Sequence, residues 1–275
     1  MDLFIAPRAG IWCRSVPGWD QFCAALATGE EPGNRLAEPL PDLLPAREAR
    51  RAPLHVRLAI EAGTQACREN GVVMSDVMTV FASAMGDHQI TDYMCRTLAD
   101  SSPMLSPTRF HHSVHNAASG YWSISAGNRL ASAAIAALSC TFAAGILEAA
   151  SLAVSEPGTV LLIAHDIPAS SPLDAVCSTR QPFALAFLVS SQRIAPQWRG
   201  MRLEYRETSS PWPTPEPGWL QKLAMDNECA RGIPLLEALA GHRPATLAWP
   251  LNEAAHLRLQ LGPGAGALPD PTSSV

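Results

Sequence analysis

Apolar positions along this chain follow two periods, one typical of buried strands and one typical of amphipathic helices. Short runs rich in β-branched, aromatic or small residues predict strands. We place these strands at 3–5, 77–82, 132–138, 160–164 and 182–190. Apolar residues that recur every three or four positions predict helices at 19–26, 46–70, 90–98 and 142–154. Strands therefore alternate with helices, the order typical of a layered α/β unit.

The predicted helix at 142–154 is apolar almost all the way round. Glu148 is its one charged residue, and a helix without a polar face belongs inside a core. The expected fold is thus α/β, with three layers built from a mixed sheet and a buried helix.

Beyond residue 199 the pattern loosens. We expect an edge strand at 201–205, two helices within 220–239, and a strand at 246–261 that closes the sheet. One domain is predicted for residues 1–245. Residues 262–275 are rich in Gly and Pro and are predicted to form a disordered tail.

Composition narrows the class of protein. With 275 residues and 47% apolar content, the chain can bury a full core. A net charge of -5 and a pI near 5.9 argue against a nucleic-acid partner, which normally meets a basic surface. The seven cysteines show neither zinc spacing nor a disulfide framework, which favours reduced thiols in a cytoplasm. We expect no export signal and no membrane span, since no apolar run reaches the necessary ~20 residues.

The stretch 106–145 carries the candidate chemistry. A run of small residues leads directly into the apolar helix, so a sharp strand-to-helix turn falls at Ser139 and Cys140. Such a turn aims a side chain into a pocket, and the helix N-terminus beneath it favours a developing negative charge. Either residue could be a nucleophile. Alternatively, Ser139 caps the helix through its hydroxyl, and Cys140 is a small core residue.

Three histidines, His111, His112 and His115, precede this turn. His111 and His115 would share one face of a helix, but no carboxylate accompanies them and a zinc site needs further ligands. We therefore expect loop histidines that bond backbone carbonyls, with neither a metal nor a cofactor.

Residues 47–190 resemble the β-ketoacyl synthase family of thiolase-like condensing enzymes. The likeness rests on an arginine-bearing helix before a strand, on the segment VHNAASGYWSISAG, and on the apolar helix and strand that follow. In that family the turn carries the catalytic cysteine. When Gly127 and Arg129 are aligned with the family's glycine-rich approach, Ser139 occupies the cysteine position without a gap. Cys140 would need one inserted residue.

The family's second half supplies two histidines that handle decarboxylation, one of them in a His-Gly-Thr-Gly-Thr context. His242 and His256 stand in other contexts, and the chain is too short for a second complete half. The resemblance therefore implies a thiolase-like half with an incomplete second half. This combination is similar to chain-length-factor subunits of type II polyketide systems, most closely the short subunits of aryl-polyene pathways.

The resemblance implies a non-catalytic partner that forms a heterodimer with a full-length ketosynthase, shapes its acyl tunnel and meets an acyl carrier protein. Two other hypotheses stay open. One is a stand-alone acyltransferase or thioesterase that uses Cys140 or Ser139. The other is a scaffold that stabilises the synthase without affecting product length. The arginines at 47, 50, 51 and 57 either dock an acidic carrier protein or form a solvated helix face.

Candidates for the tunnel wall or the subunit interface surround the turn. The aromatic residues among them either stop a growing acyl chain or fill the core. The alanine-rich strand that starts at Ser132 would be a poor exposed edge, so a second subunit is expected to cover it. The candidates are Phe110, His111, His115, Asn116, Tyr121, Trp122, Ser132, Ile135 and Phe142.

Overall fold

A single mixed sheet runs through the part of the chain that the computed structural model describes, residues 1–33, 38–100 and 104–265. Its strands are β1 (Asp2–Ile5), β2 (Gly10–Cys13), β3 (Val77–Ala82), β4 (Ser132–Ile135), β5 (Thr159–Asp166), β6 (Phe183–Ser190), β7 (Arg199–Arg206), β8 (Ala245–Asn252) and β9 (Ala255–Ala265). The order across the sheet is β4, β3, β5, β6, β1, β7, β9, β8, and β2 also pairs with β6.

Helices lie on both faces of this sheet. The α-helices of the described residues are α1 (Trp19–Thr28), α2 (Ala46–Ala49), α3 (Leu54–Glu69), α4 (His88–Ala99), α5 (Pro107–His112), α6 (Ala117–Ala126), α7 (Thr141–Ser155), α8 (Gly218–Asp226) and α9 (Ile233–Ala240). Short 3₁₀ helices span Met74–Asp76, Leu138–Cys140, Leu173–Ala175 and Glu228–Gly232.

Alternate residues of the central strands feed two separate cores. On β5, Leu161 and Ile163 join the core beneath α3 and α6, whereas Val160 and Leu162 join the core around α7. Successive side chains of a strand point to opposite faces, so one strand can serve both cores. The predicted three-layer α/β arrangement is confirmed.

The helix α7 is the buried helix that the sequence predicts. Phe142, Ile146 and Ala149 are fully buried, and the helix contacts β3, β5, β6 and the 3₁₀ helix Glu228–Gly232. Among the described residues, Leu138–Ser155 is the one helical stretch long and apolar enough to span a membrane, with mean hydropathy 1.5 and 44% of it buried. A core helix satisfies the same two criteria, and the contacts of α7 with the sheet are those of a core helix.

Three parallel strands end at the same edge of the sheet. Phe81 of β3 lies opposite Ala134 of β4 and Ile163 of β5, both in parallel register. The next strand, β6, runs antiparallel to β5. Ligand sites of α/β sheets form at the carboxyl ends of such strands, and the turn at Ser139 follows β4 at this edge.

Two predictions about the first half are wrong. The helix expected at 46–70 is broken at Pro53 into α2 and α3, because proline lacks a backbone N–H and disfavours a helical residue before it. The segment before the turn, expected to be a loop, contains α5 and α6. Its start follows helix rules, since the Ser106 hydroxyl accepts a hydrogen bond from Arg109 N and Pro107 occupies the first helical turn.

The C-terminal part also differs from its prediction. The expected edge strand, β7, is an inner strand between β1 and β9. Where one closing strand was predicted at 246–261, the chain forms the antiparallel hairpin β8–β9. Because β9 continues to Ala265, the first residues of the predicted tail belong to the sheet, while 266–275 lie outside the described residues. The two helices predicted within 220–239 are confirmed as α8 and α9.

Two buried ionisable side chains hold α9 to its surroundings. The Arg199 guanidinium donates to the carbonyl oxygens of Ala238, Arg243 and Gly262 at 3.0, 2.8 and 2.5 Å. Glu237 is 3% exposed, and its carboxyl accepts a hydrogen bond from the backbone N–H of Glu216 at 2.9 Å. Burial, together with the nearby Glu216 carboxylate, raises the pKa of Glu237 to about 7.

Glu237 makes the free energy of unfolding depend on pH. Between its ordinary pKa of 4.5 and about 7, the carboxyl keeps its proton only in the folded chain, so stability falls as pH rises across that window, by on the order of 3 kcal/mol. In Glu237→Gln the amide oxygen can still accept from Glu216 N but does not titrate. Urea unfolding between pH 4.5 and 8 should show this variant gaining stability over the parent chain as pH rises. Glu253→Gln, at an exposed position, is the control and should keep the pH dependence of the parent chain. The same pH dependence in Glu237→Gln and in the parent chain would contradict the raised pKa of Glu237.

Candidate functional site

The turn at the carboxyl edge of β4 is strained at one residue. Leu138 begins the 3₁₀ helix Leu138–Cys140 with φ 48°, a left-handed value that a leucine rarely adopts. Its side chain is 65% exposed. Strain of this kind persists only where the surrounding structure holds it, so the turn is an elbow fixed by its neighbours.

Thr141, the first residue of α7, holds the elbow. Its hydroxyl accepts a hydrogen bond from Ala137 N at 3.0 Å and donates to Leu138 O at 2.7 Å. Cys140 N also donates to Ala137 O at 2.9 Å. The hydroxyl that secures the start of the helix is therefore that of Thr141, and the expectation that Ser139 caps the helix is wrong.

The two nucleophile candidates sit side by side on the elbow. Ser139 is exposed and Cys140 is partly buried, with 4.0 Å between Ser139 Oγ and Cys140 Sγ. Within the described residues, no histidine lies within hydrogen-bonding distance of either atom. A serine hydroxyl needs an adjacent base to become a nucleophile, and the elbow does not supply one from this part of the chain.

A buried carboxylate, that of Asp166, lies at the same edge as the last residue of β5. Asp166 accepts hydrogen bonds from the Ser83 hydroxyl at 2.8 Å, from Ala84 N at 3.0 Å and from the Cys229 thiol at 3.0 Å. Asn227 donates to Asp166 O at 3.2 Å. These contacts tie the 3₁₀ helix Glu228–Gly232 to the ends of the parallel strands.

Cys229 is an inert thiol despite its carboxylate neighbour. Burial, and the negative charge of Asp166 beside it, raise the pKa of Cys229 well above its ordinary value. Burial also raises the pKa of Asp166. Because the thiolate is the reactive form of cysteine, this cluster stabilises the fold and does not present a nucleophile.

Histidines form a second polar group near this edge. His55 Nδ1 lies 3.0 Å from Asp87 Oδ2, and the His165 ring stacks on His55 with 6.1 Å between ring centroids. His115 Nε2 bonds Ser83 O at 2.9 Å. Burial lowers the pKa of His165, and His55 and His115 act in the same direction, so His165 is neutral. Sequence analysis missed His55, Asp87, His165 and Asp166 because their contacts join segments that are far apart in sequence.

The three histidines before the turn, His111, His112 and His115, do not share one partner. His115 bonds a backbone carbonyl, as predicted, whereas His112 Nε2 lies 2.9 Å from the Tyr121 hydroxyl. Burial lowers the pKa of His112 and the neighbouring His111 lowers it further. In the described residues, no three histidine, cysteine, aspartate or glutamate side chains come together as a metal site would require.

A cavity of about 900 Å³ opens between the segment before α2, α5 and the outer face of α6. His111, Asn116 and Tyr121, three of the predicted candidates, border it. A second cavity of about 670 Å³ shares Arg51, Thr108 and His112 with the first. Of the predicted arginines, Arg57 contacts Glu38 at 3.4 Å, whereas those at 47, 50 and 51 are exposed.

The remaining candidates divide between surface and core. Phe110 is 55% exposed on α5, whereas Trp122 and Phe142 are at most 1% exposed. Trp122 belongs to the core beneath α3, and Phe142 packs against Phe187 and Trp249. Trp122 and Phe142 therefore fill the core. Neither side chain is exposed enough to line a tunnel or to contact a second subunit.

The strand β4 is the end strand of the sheet, and it carries both Ser132 and Ile135. Ser132 is exposed and Ile135 is partly buried. Exposed apolar side chains also occur away from β4. Leu98, at the end of α4, is 58% exposed, and Met104 is 86% exposed. The apolar positions of α4 recur as in any amphipathic helix, so the sequence did not predict that none of its residues would be buried.

Comparison with known proteins agrees with this fold. A family model for the β-ketoacyl synthase N-terminal domain matches residues 19–243, and no curated protein sequence matches the chain. Among solved structures, a chain of the ketosynthase ApeO in complex with its chain length factor ApeC, from Xenorhabdus doucetiae, is similar at TM-score 0.70 and 20% identity, over 94% of this chain and 99% of that chain.

Two further complexes share the fold. A chain of the ishigamide ketosynthase/chain length factor is similar at TM-score 0.68 and 13% identity, over 94% of this chain and 98% of that one. A chain of AntDE:AntF, a type II polyketide synthase acyl-carrier protein in complex with its ketosynthase, is similar at TM-score 0.71 and 10% identity. The match covers 95% of this chain and 99% of that one. Since the family match covers well over half of its residues, the chain belongs to the β-ketoacyl synthase N-terminal domain family.

Proposed function

We propose that the chain is a non-catalytic, ketosynthase-like subunit of chain-length-factor type, which pairs with an active ketosynthase and shapes its acyl tunnel. The observation that supports this proposal is the elbow, where Leu138 is strained, Ser139 is exposed, and no histidine of the described residues lies within hydrogen-bonding distance of Ser139 Oγ or Cys140 Sγ. Condensation needs a thiolate to accept the acyl chain and imidazoles to stabilise the enolate formed by decarboxylation. Within the described residues, the contacts of Ser139 Oγ and Cys140 Sγ include no imidazole and no other base.

The partner we propose is a full-length ketosynthase in a type II polyketide or fatty-acid-like system, of the aryl-polyene kind. Two of the solved complexes that share this fold pair a ketosynthase with a chain length factor, and a third joins a ketosynthase to an acyl carrier protein. The open edge of β4 supports pairing with a second subunit, and the exposed arginines at 47, 50 and 51 support a carrier-protein contact. Seven free cysteines support a cytoplasmic setting.

An enzyme remains the second candidate function. Ser139 is exposed at the N-terminus of the fifteen-residue helix α7, where the helix dipole favours a developing negative charge. In this alternative, Ser139 or Cys140 accepts an acyl group, and the chain is a stand-alone acyltransferase or thioesterase.

Mass spectrometry separates these two functions. We expect no stoichiometric acyl adduct when the purified chain is incubated with an acyl-carrier-protein thioester, because no histidine in the described part of the chain is bonded to either candidate nucleophile. A full-length ketosynthase treated in the same way is the positive control. An adduct on this chain that disappears in Ser139→Ala or Cys140→Ala would favour the enzyme and name its nucleophile.

The edge of β4 offers a test of pairing. Ala131 O and Ile135 O accept hydrogen bonds from β3, so the alternate residues Ser132 and Ala134 direct their backbone groups to the open side. Ala134→Pro removes one outward N–H without touching the pairing with β3. We expect this variant to lose co-purification with the proposed ketosynthase partner.

Ala134→Val is the matched control, because valine adds a side chain of similar size and keeps the N–H. It should co-purify like the parent chain, and both variants should melt within a few degrees of it. Undiminished co-purification of a folded Ala134→Pro variant would argue against pairing through this edge.

Length control is tested at Phe110, which is half exposed on α5. If its ring limits the growing chain, Phe110→Ala in the reconstituted pair should shift the product distribution toward longer chains at similar total activity. Tyr205→Ala, which removes an aromatic ring of similar exposure from β7, should leave the distribution unchanged. Equal product lengths for both variants would favour the scaffold hypothesis.

A further inference from the structure

The helix α4 keeps its place without a buried side chain of its own. All twelve of its residues are partly or fully exposed. Most helices in proteins are stable because an apolar face packs on the core. Besides its partly buried side chains, α4 is held by polar contacts at its first turn and along its middle.

The strongest of these contacts is the carboxylate of Asp87, which precedes α4. Its Oδ1 accepts a hydrogen bond from Ile90 N at 3.1 Å and so caps the helix. Its Oδ2 lies 3.0 Å from His55 Nδ1. The two side chains of this pair are 3% and 4% exposed, so water competes little for the bond between them.

His55 is itself held on the side away from α4. It belongs to the buried face of α3, and the ring of His165, which is 1% exposed on β5, stacks on it at 25°. Burial opposes ionisation of Asp87, but its hydrogen bond and electrostatic interaction with His55 keep the pKa of Asp87 below its ordinary value of 3.8. A rigid donor thus faces an ionised acceptor.

The contacts along the middle of α4 are more exposed. The Arg109 guanidinium lies 4.0 Å from the centre of the Tyr93 ring, and Arg96 donates to Ser171 O at 3.1 Å. Arg96 also pairs with Asp92 on the same helix, and the two side chains are 66% and 18% exposed. Solvent weakens a pair with one exposed partner, which leaves the His55–Asp87 pair as the main polar restraint.

We propose that His55 and Asp87 are positioning residues that anchor α4, and that loss of their bond releases α4 while the sheet, α3 and α6 stay folded. The anchoring rests on the contacts of this chain alone. Its consequence for a partner rests on the proposed function: α4 contacts α5, which carries Phe110, so the anchored helix would fix part of the surface that an acyl tunnel meets.

Hydrogen exchange of the full chain, followed by mass spectrometry, tests the anchor. In His55→Ala we expect peptides from α4 to exchange about tenfold faster or more, the loss expected for a hydrogen bond to a charged group. Peptides from α6 and β3 should keep their parent rates. His55→Asn, whose amide can donate from nearly the same position as Nδ1, should restore much of the protection. Asp92→Asn, which weakens the Arg96–Asp92 pair on the same helix, is the matched control. It should leave the exchange of α4 at the parent rate.

Three results would overturn the proposal: unchanged exchange of α4 in His55→Ala, equal acceleration in α4 and α6, or no recovery in His55→Asn. If His55→Ala does not fold, Asp87→Asn decides, because asparagine retains a cap for Ile90 N but not the charge. The same local acceleration is then expected. Co-purification of each variant with the ketosynthase is measured in parallel, so that failure of the anchor and failure of the proposed partnership are distinguished.

Discussion

The burial of α7 is the constraint on which the rest of this structure depends. The apolar faces of this helix must be covered, because exposing them would leave a large apolar surface in water, and its exposed side carries Glu148, Ser151 and Val154. The sheet covers one side through β3, β5 and β6, and the 3₁₀ helix Glu228–Gly232 with β8 covers another. The C-terminal third of the chain is therefore needed to complete the core of the first two thirds.

The sheet and the 3₁₀ helix Glu228–Gly232 pack closely against α7. A Cβ atom added at Gly232 would lie 2.4 Å from the Phe142 ring, and one added at Gly145 would lie 3.0 Å from side chains of β3 and β5. Small residues at these two positions let the helix and its cover approach to contact distance. Phe142, the first aromatic residue of α7, is consequently part of the core and has no free surface.

The same burial fixes the elbow. Since α7 has one orientation on the sheet, the chain that leaves β4 must turn sharply to enter it, and Leu138 takes a strained conformation that Thr141 holds by two hydrogen bonds. The polar groups at this edge serve stability in the same way. Asp166 is buried but receives several donors, so its carboxylate joins β3, β5 and the covering segment, whereas a catalytic carboxylate would face a substrate.

Sequence alone determined the layers of this protein, because strand and helix periods are local properties of the chain. It also determined that α7 is buried, since Glu148 is its one charge, and that Ser139 and Cys140 stand at the strand-to-helix turn. Only the tertiary structure decided what surrounds them. His55 of α3, Asp87 before α4 and His165 of β5 come together, whereas Asp166, the next residue of β5, meets Ser83 and Cys229. Trp122 turns inward while Phe110 turns outward, although both are aromatic residues of neighbouring helices. Sheet order likewise made β7 an inner strand, because pairing between distant strands depends on long-range contacts that no local pattern records.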